Sequence, residues 1–95
     1  MNAKQDPQRW EIHYEGRVQG VGFRFRTQAI AQKFPVLGYV RNLADGRVLL
    51  IVEGLATDLH QFITEIDAEM RGNIHEKTVA HRPATGEFHD FSILR

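Results

Sequence analysis

A change of hydrophobic period, with a glycine loop set in the join, constrains this chain most. Trp10, Ile12, Tyr14 and Val18 occupy even positions, with Glu11, His13, Glu15 and Arg17 between them. That alternation marks a half-buried strand. Phe23, Thr27, Ile30 and Phe34 then recur every three or four residues and give one helical face over about Gly22 to Lys33. Pro35 ends that helix. The join is Gly16-Arg17-Val18-Gln19-Gly20-Val21-Gly22-Phe23-Arg24, with three glycines in seven residues and an arginine at the helix start. Glycine takes positive φ and lets a ligand approach the backbone closely. Successive N–H groups in such a turn form an anion nest, and a helix N-terminus adds partial positive charge. Arg24 brings a planar fork of donors suited to phosphate oxygens.

Spacing excludes two familiar phosphate loops. A Walker loop needs Lys-Ser or Lys-Thr after its last glycine. A dinucleotide fingerprint needs a third glycine where Phe25 stands. From the glycines alone, a plain chain-reversing turn fits equally well. Arg24 tips the reading toward an anion site, because a cation at a helix start opposes the helix dipole unless an anion is present.

Downstream, Val36 to Asn42 reads as a second strand and Val48 to Glu53 as a third, joined through an Asp45-Gly46 hairpin signal. The third strand is apolar on both faces, which makes it central. Leu55, Leu59, Phe62, Ile63, Ile66 and Met70 mark a second amphipathic helix, with Thr57 or Asp58 as its expected N-cap and Gly72 at its end. Ile74 to His81 is a fourth strand, Pro83 to Glu87 a loop, and Phe88, Phe91, Ile93 and Leu94 place a short strand last. The order β-α-β-β-α-β with a further strand predicts an α+β, ferredoxin-like (split βαβ) fold: an antiparallel sheet with two helices on one face. Residues 1–9 read as a flexible polar tail, and residues 10–95 as a single domain.

Twelve basic and twelve acidic residues cancel, which argues against sequence-independent nucleic-acid binding. Without cysteine there is no disulfide, thiolate nucleophile or thiolate metal site. His13, His60, His75, His81 and His89 lack the spacing of a metal site, so no metal or cofactor is expected. No apolar run approaches the roughly 20 residues of a membrane span, and no signal peptide is legible. A cytoplasmic monomer is the expectation.

The glycine segment resembles the first signature of the acylphosphatases. Gly38-Tyr39-Val40-Arg41-Asn42-Leu43-Ala44-Asp45-Gly46-Arg47-Val48 resembles the second, at the family's spacing. The resemblance covers about Trp10 to Arg95. It implies a metal-free enzyme that hydrolyses the carboxyl–phosphate anhydride of a small-molecule acyl phosphate to a carboxylate and inorganic phosphate. By motif position, Arg24 would bind the phosphoryl oxygens and Asn42 would orient the attacking water. Gln19, Gly20, Val21, Gly22 and Phe23 would offer backbone N–H groups to the same phosphate.

Without the motif, Asn42 also reads as a turn-entry residue and Arg24 as a paired surface cation. Tyr39 stands where the family often has tryptophan. Arg71 to Pro83 departs from the family's usual pattern, which leaves the register of the fourth strand open. The C-terminal carboxylate at Arg95 is a candidate to orient Arg24. Two rival classes are a non-catalytic phosphate- or carbamoyl-phosphate-binding module of a larger assembly and an RNA-binding domain. The latter would need exposed aromatics on the open sheet face and a basic surface.

Overall fold

The computed structural model describes residues 6–95. The elements run β1 (Gln8–Gly16), α1 (Phe23–Ala31), β2 (Leu37–Asn42), β3 (Val48–Gly54), α2 (Ala56–Glu69), β4 (Ile74–Pro83) and β5 (Phe91–Leu94). The five strands form one sheet in the order β4-β1-β3-β2-β5. β3 is the middle strand, as its two apolar faces predict. The first four strands pair antiparallel, but β5 runs parallel to β2, so the sheet is mixed rather than wholly antiparallel. The ferredoxin-like α+β order stands, with β5 added at the outer edge.

Of the polar stretch 1–9, residues 1–5 lie outside the described residues, while Gln8 and Arg9 already belong to β1. Their place there follows from pairing: Arg9 lies opposite Glu53 on one side and Arg82 on the other. Helix α1 stops at Ala31, short of Lys33. Pro35 brings no N–H, and the last turns tighten, with Lys33 donating to the carbonyl of Ile30 and Phe34 to that of Ala31. The expected caps of α2 are corrected. Leu55 is its N-cap, in extended conformation, and Asp58 instead sits in the first turn, where its charge favours the dipole. Met70 closes the other end, and Gly72 lies beyond it.

One core cluster joins the even-numbered side chains of β1 (Trp10, Ile12, Tyr14) to Val40, Leu50 and Val52 of the sheet and to both helices through Phe23, Ile30, Leu59, Phe62 and Ile66. Tyr14 packs on Phe23 with ring centroids 4.9 Å apart, which fixes the first residue of α1 against β1. Burial pushes the Tyr14 phenol well up, and the Asp67 charge adds to the effect.

β4 pairs with β1 from Gln8↔Pro83 to Gly16↔Ile74, with a register shift at Glu15/Gly16. It is an edge strand with almost no buried residue, which is why its sequence lacks a clear apolar alternation. No described helix is long and apolar enough to cross a membrane.

The chain from β4 to β5 must pass from one sheet edge to the other, and residues 84–90 do so across the face opposite the helices. Phe88 meets Tyr39 there at 5.9 Å, and the Arg9 guanidinium lies 5.4 Å over the Phe88 ring. Beneath this crossing, Glu53 is only 6% exposed. Its carboxylate accepts from the Thr85 N–H (2.8 Å), the Thr85 hydroxyl (2.9 Å) and the Gly86 N–H (3.0 Å), with Arg9 Nη1 at 3.6 Å. Burial alone would raise the Glu53 pKa, but these donors and the Arg9 charge together hold it below the usual glutamate value.

A depressed carboxylate pKa contributes stability that is complete above the unfolded-state value, about 4.3, and lost as pH falls through the folded one. Glu53→Gln turns an N–H donor toward other donors and should destabilise the fold by about 1–3 kcal/mol at pH 7. Denaturant titrations from pH 7 to pH 3 should show that difference shrinking below about pH 4. A gap that persists at pH 3 would assign the effect to packing.

Candidate active site

The loop after β1 reaches the helix through two glycines in left-handed conformation, Gly20 (φ 76°) and Gly22 (φ 82°, ψ 16°). At neither would a Cβ meet another atom, so the backbone angle rather than crowding selects glycine there. Gly22 is the N-cap of α1, and no side chain caps the helix or places an acidic group in its first turn. Arg26 N–H donates to the Gly22 carbonyl at 3.0 Å, closing the first helical turn. The amides of Phe23, Arg24 and Phe25 precede it and have no intrahelical acceptor, as in any helix start. The Phe23 side chain points the other way, into the core.

Val18, Gly20, Gly22, Phe23, Arg24, Phe25, Asn42 and Ile93 line one surface depression of about 180 Å³. Arg24 and Asn42, from the two separate signatures, therefore meet. So do Gly20, Gly22 and Phe23 of the loop. Gln19 and Val21 are not among the lining residues. The Gln19 side chain is engaged elsewhere, its Nε2 donating to the carbonyls of Leu43 (2.8 Å) and Arg47 (2.9 Å). It thus pins the loop to the β2–β3 hairpin.

That hairpin is closed by Leu43 N–H to the Arg47 carbonyl at 2.8 Å. Asp45 accepts from the Arg47 N–H at 3.0 Å and from its Nε at 2.8 Å. The Arg47 N–H bond, then the Arg47 side chain and its charge, outweigh desolvation and hold Asp45 below the usual aspartate range.

Asn42 is the last residue of β2, and its Oδ1 is buried without a hydrogen-bond donor among the described protein groups. Arg24 ion-pairs with no described carboxylate. Its Nη1 donates to the main-chain carbonyl of Leu94 at 2.9 Å. The expected partner, the Arg95 carboxylate, is thus replaced by a neutral carbonyl one residue earlier, which orients the guanidinium without cancelling its charge. By contrast, Arg26 lies 3.9 Å from Glu69, and Arg47 lies against Asp45.

Sequence reasoning missed Phe25, Ile93 and the Leu94 carbonyl. The apolar Ile93 in the last strand was the only signal for that wall. A main-chain acceptor such as Leu94 leaves none.

Replacing Gln19 by Ala removes two hydrogen bonds to carbonyls that each keep a backbone N–H donor, and frees the loop from the hairpin. It should lower stability by about 0.5–1.5 kcal/mol and weaken inorganic phosphate binding together with it. Thermal unfolding and calorimetric titration of the same sample check both, and intact phosphate affinity would show that the loop holds its shape alone.

The comparisons follow the same geometry. Residues 10–93 match the family model described as Acylphosphatase. An acylphosphatase of Acaryochloris marina is 40% identical over 80 residues, covering 84% of this chain and 86% of that protein. One from Marinobacter nauticus is 38% identical over 86 residues, covering 87% and 91%. The crystal structure of acylphosphatase from Bacillus subtilis superposes with a TM-score of 0.83 at 31% identity, over 93% of this chain and 99% of that one. Full-length HypF in its phosphate- and nucleotide-bound form gives a TM-score of 0.76 at 32% identity, over 95% of this chain but 12% of that one. With both signatures folded onto one depression and the match running nearly end to end, this chain belongs to the acylphosphatase family.

Proposed function

We propose that Arg24 and the Gly20–Phe23 backbone bind the phosphoryl group of an acyl phosphate while Asn42 holds the water that attacks it. Family membership makes the protein a hydrolase of acyl phosphates; the division of labour is our reading. The observation that carries it is the convergence of Arg24 and Asn42, far apart in sequence, on one small depression with the helix start.

The water oxygen attacks phosphorus as the bond from phosphorus to the acyl oxygen breaks. That bond's electron pair leaves with the carboxylate, the water protons pass to solvent and phosphate, and the products are a carboxylate and inorganic phosphate. The leaving group's conjugate acid has a pKa near that of glutamate, about 4.3, so it departs without a general acid. What the protein must still do is position the groups and stabilise charge on the non-bridging oxygens. A guanidinium and a row of fixed N–H donors suit that role because they are oriented before the substrate arrives.

An amide at position 42 can accept from water while adding no negative charge beside an anionic substrate. The unengaged Oδ1 supports this role.

The likeness to a small part of HypF keeps a second reading alive, in which the same cradle binds a phosphate-bearing ligand without useful turnover. Benzoyl phosphate hydrolysis in the presence of EDTA separates the two. The wild type should turn over. Asn42→Ala should lose about 10²–10³-fold in kcat and still bind phosphate. Arg24→Ala should lose both turnover and affinity. Near-normal turnover in Asn42→Ala would remove the water-holding role, and phosphate binding with no wild-type turnover would favour the binding module.

A further inference from the structure

We infer that Phe25, with Ile93 beside it, receives the acyl part of the substrate and makes the site prefer apolar, aromatic acyl groups over small ones. The inference rests on the proposed reading that the phosphoryl group sits against the α1 start. Phe25 is 72% exposed, well above the 41% of Leu55, the next most exposed large apolar side chain described. A phenyl ring left in water on a helix needs a reason, and burial under a ligand supplies a favourable one.

Its position gives the direction. Phe25 follows Arg24 directly and lines the 180 Å³ depression with Arg24, Asn42 and Ile93. It also lines a second, larger depression of about 540 Å³, shared with Gln28, Ala29, Phe34, Leu37 and Phe91. Phe25 therefore borders both the phosphate cradle and a hollow wide enough for a ring, walled by Phe34, Leu37 and Phe91 on its apolar side and by Gln28, Gln32 and Asp90 on its polar side. The hollow of about 460 Å³ on the other flank of Phe25 is lined by the charged Arg26, Lys33, Glu65 and Glu69, so an acyl group leaving the cradle on this side passes over Phe25 toward the larger hollow.

Asp90 lines the same hollow, its Oδ1 accepting from the Ser92 hydroxyl at 2.8 Å. Its charge opposes acyl groups that carry a carboxylate or a second phosphate. The class selected is thus an uncharged aromatic or bulky apolar acyl phosphate. An aromatic face adds to affinity through offset or edge contacts with the substrate ring, beyond the area covered.

The test compares two ligand pairs in wild type, Phe25→Ala and Phe25→Trp. One pair is benzoyl and acetyl phosphate, read as the ratio of kcat/KM. The other is benzylphosphonate and methylphosphonate, which cannot be hydrolysed, read as the ratio of dissociation constants. Wild type should favour the aromatic member of each pair. Phe25→Ala should reduce that preference about tenfold, chiefly through KM, and Phe25→Trp should retain it.

At such an exposed helical position neither change threatens folding. No aromatic preference in the wild type, or one that survives Phe25→Ala, overturns the inference. A phosphonate preference lost in Phe25→Ala, in a protein that hydrolyses neither acyl phosphate, strikes the proposed reaction and upholds the inference. Failure to bind either phosphonate overturns both.

Discussion

The junction at Gly22–Phe23 is the constraint on which the rest of the site depends. Gly22 turns the chain with a backbone conformation that a side chain resists, and Phe23 immediately anchors that turn against Tyr14 in the core. The first free amides of α1 are thereby fixed relative to β1, although they lie at the surface. An anion site built from main-chain donors is only as rigid as the corner that aims them. Here the corner is held on one side by an aromatic pair in the core. On the other, the two Gln19 hydrogen bonds tie it to the β2–β3 hairpin.

The same hairpin carries Asn42, so the Gln19 clamp sets the distance between the two signatures. Besides the backbone N–H expected of it, Gln19 thus has a side-chain task, to tie the loop to the hairpin. Arg24 is placed by a third connection, to the Leu94 carbonyl of β5. The strand added beyond the four-stranded split βαβ core is therefore part of the site's support, and its parallel pairing with β2 brings Ile93 opposite Val40, two residues before Asn42.

Much of this was legible because local signals agreed with one another. The even-position apolar residues of β1, the change of period at the glycine loop, the Asp45-Gly46 turn and the doubly apolar β3 each fixed one element. Their order admitted few topologies. What could not be read lay where side chains leave no periodic trace. β4 buries almost nothing, so its extent was set by pairing with β1 rather than by its own pattern. The parallel placement of β5 depends on a crossing of the open face, held by the buried Glu53 and the Phe88–Tyr39 contact, and no spacing in the sequence announces it. The end of α2 was misplaced for a related reason: Gly72 resembles a cap in sequence, yet Met70 already closes the helix. In the site, Arg24 and Asn42 were legible from their motifs, whereas the acceptor that orients Arg24 is a carbonyl any residue could offer.

A chain with no net charge can still present a strongly cationic point if its basic residues differ in how they are paired. Arg9, Arg26, Lys33, Arg47 and Lys77 lie against carboxylates. Arg24 meets only a carbonyl dipole, and the helix start beside it bears no acidic side chain. Arg17, Arg41, Arg71 and Arg95 also lie in no ion pair among the described residues, but Arg24 is the one that stands at the start of α1, where the unbonded amides add their partial positive charge. Such an arrangement favours a small anion of high charge density over an extended polyanion, because a polyanion needs many separated cations while a phosphoryl group needs one fork and a few aligned amides. A cation held at a helix start therefore suits the small acyl phosphate substrate that family membership implies.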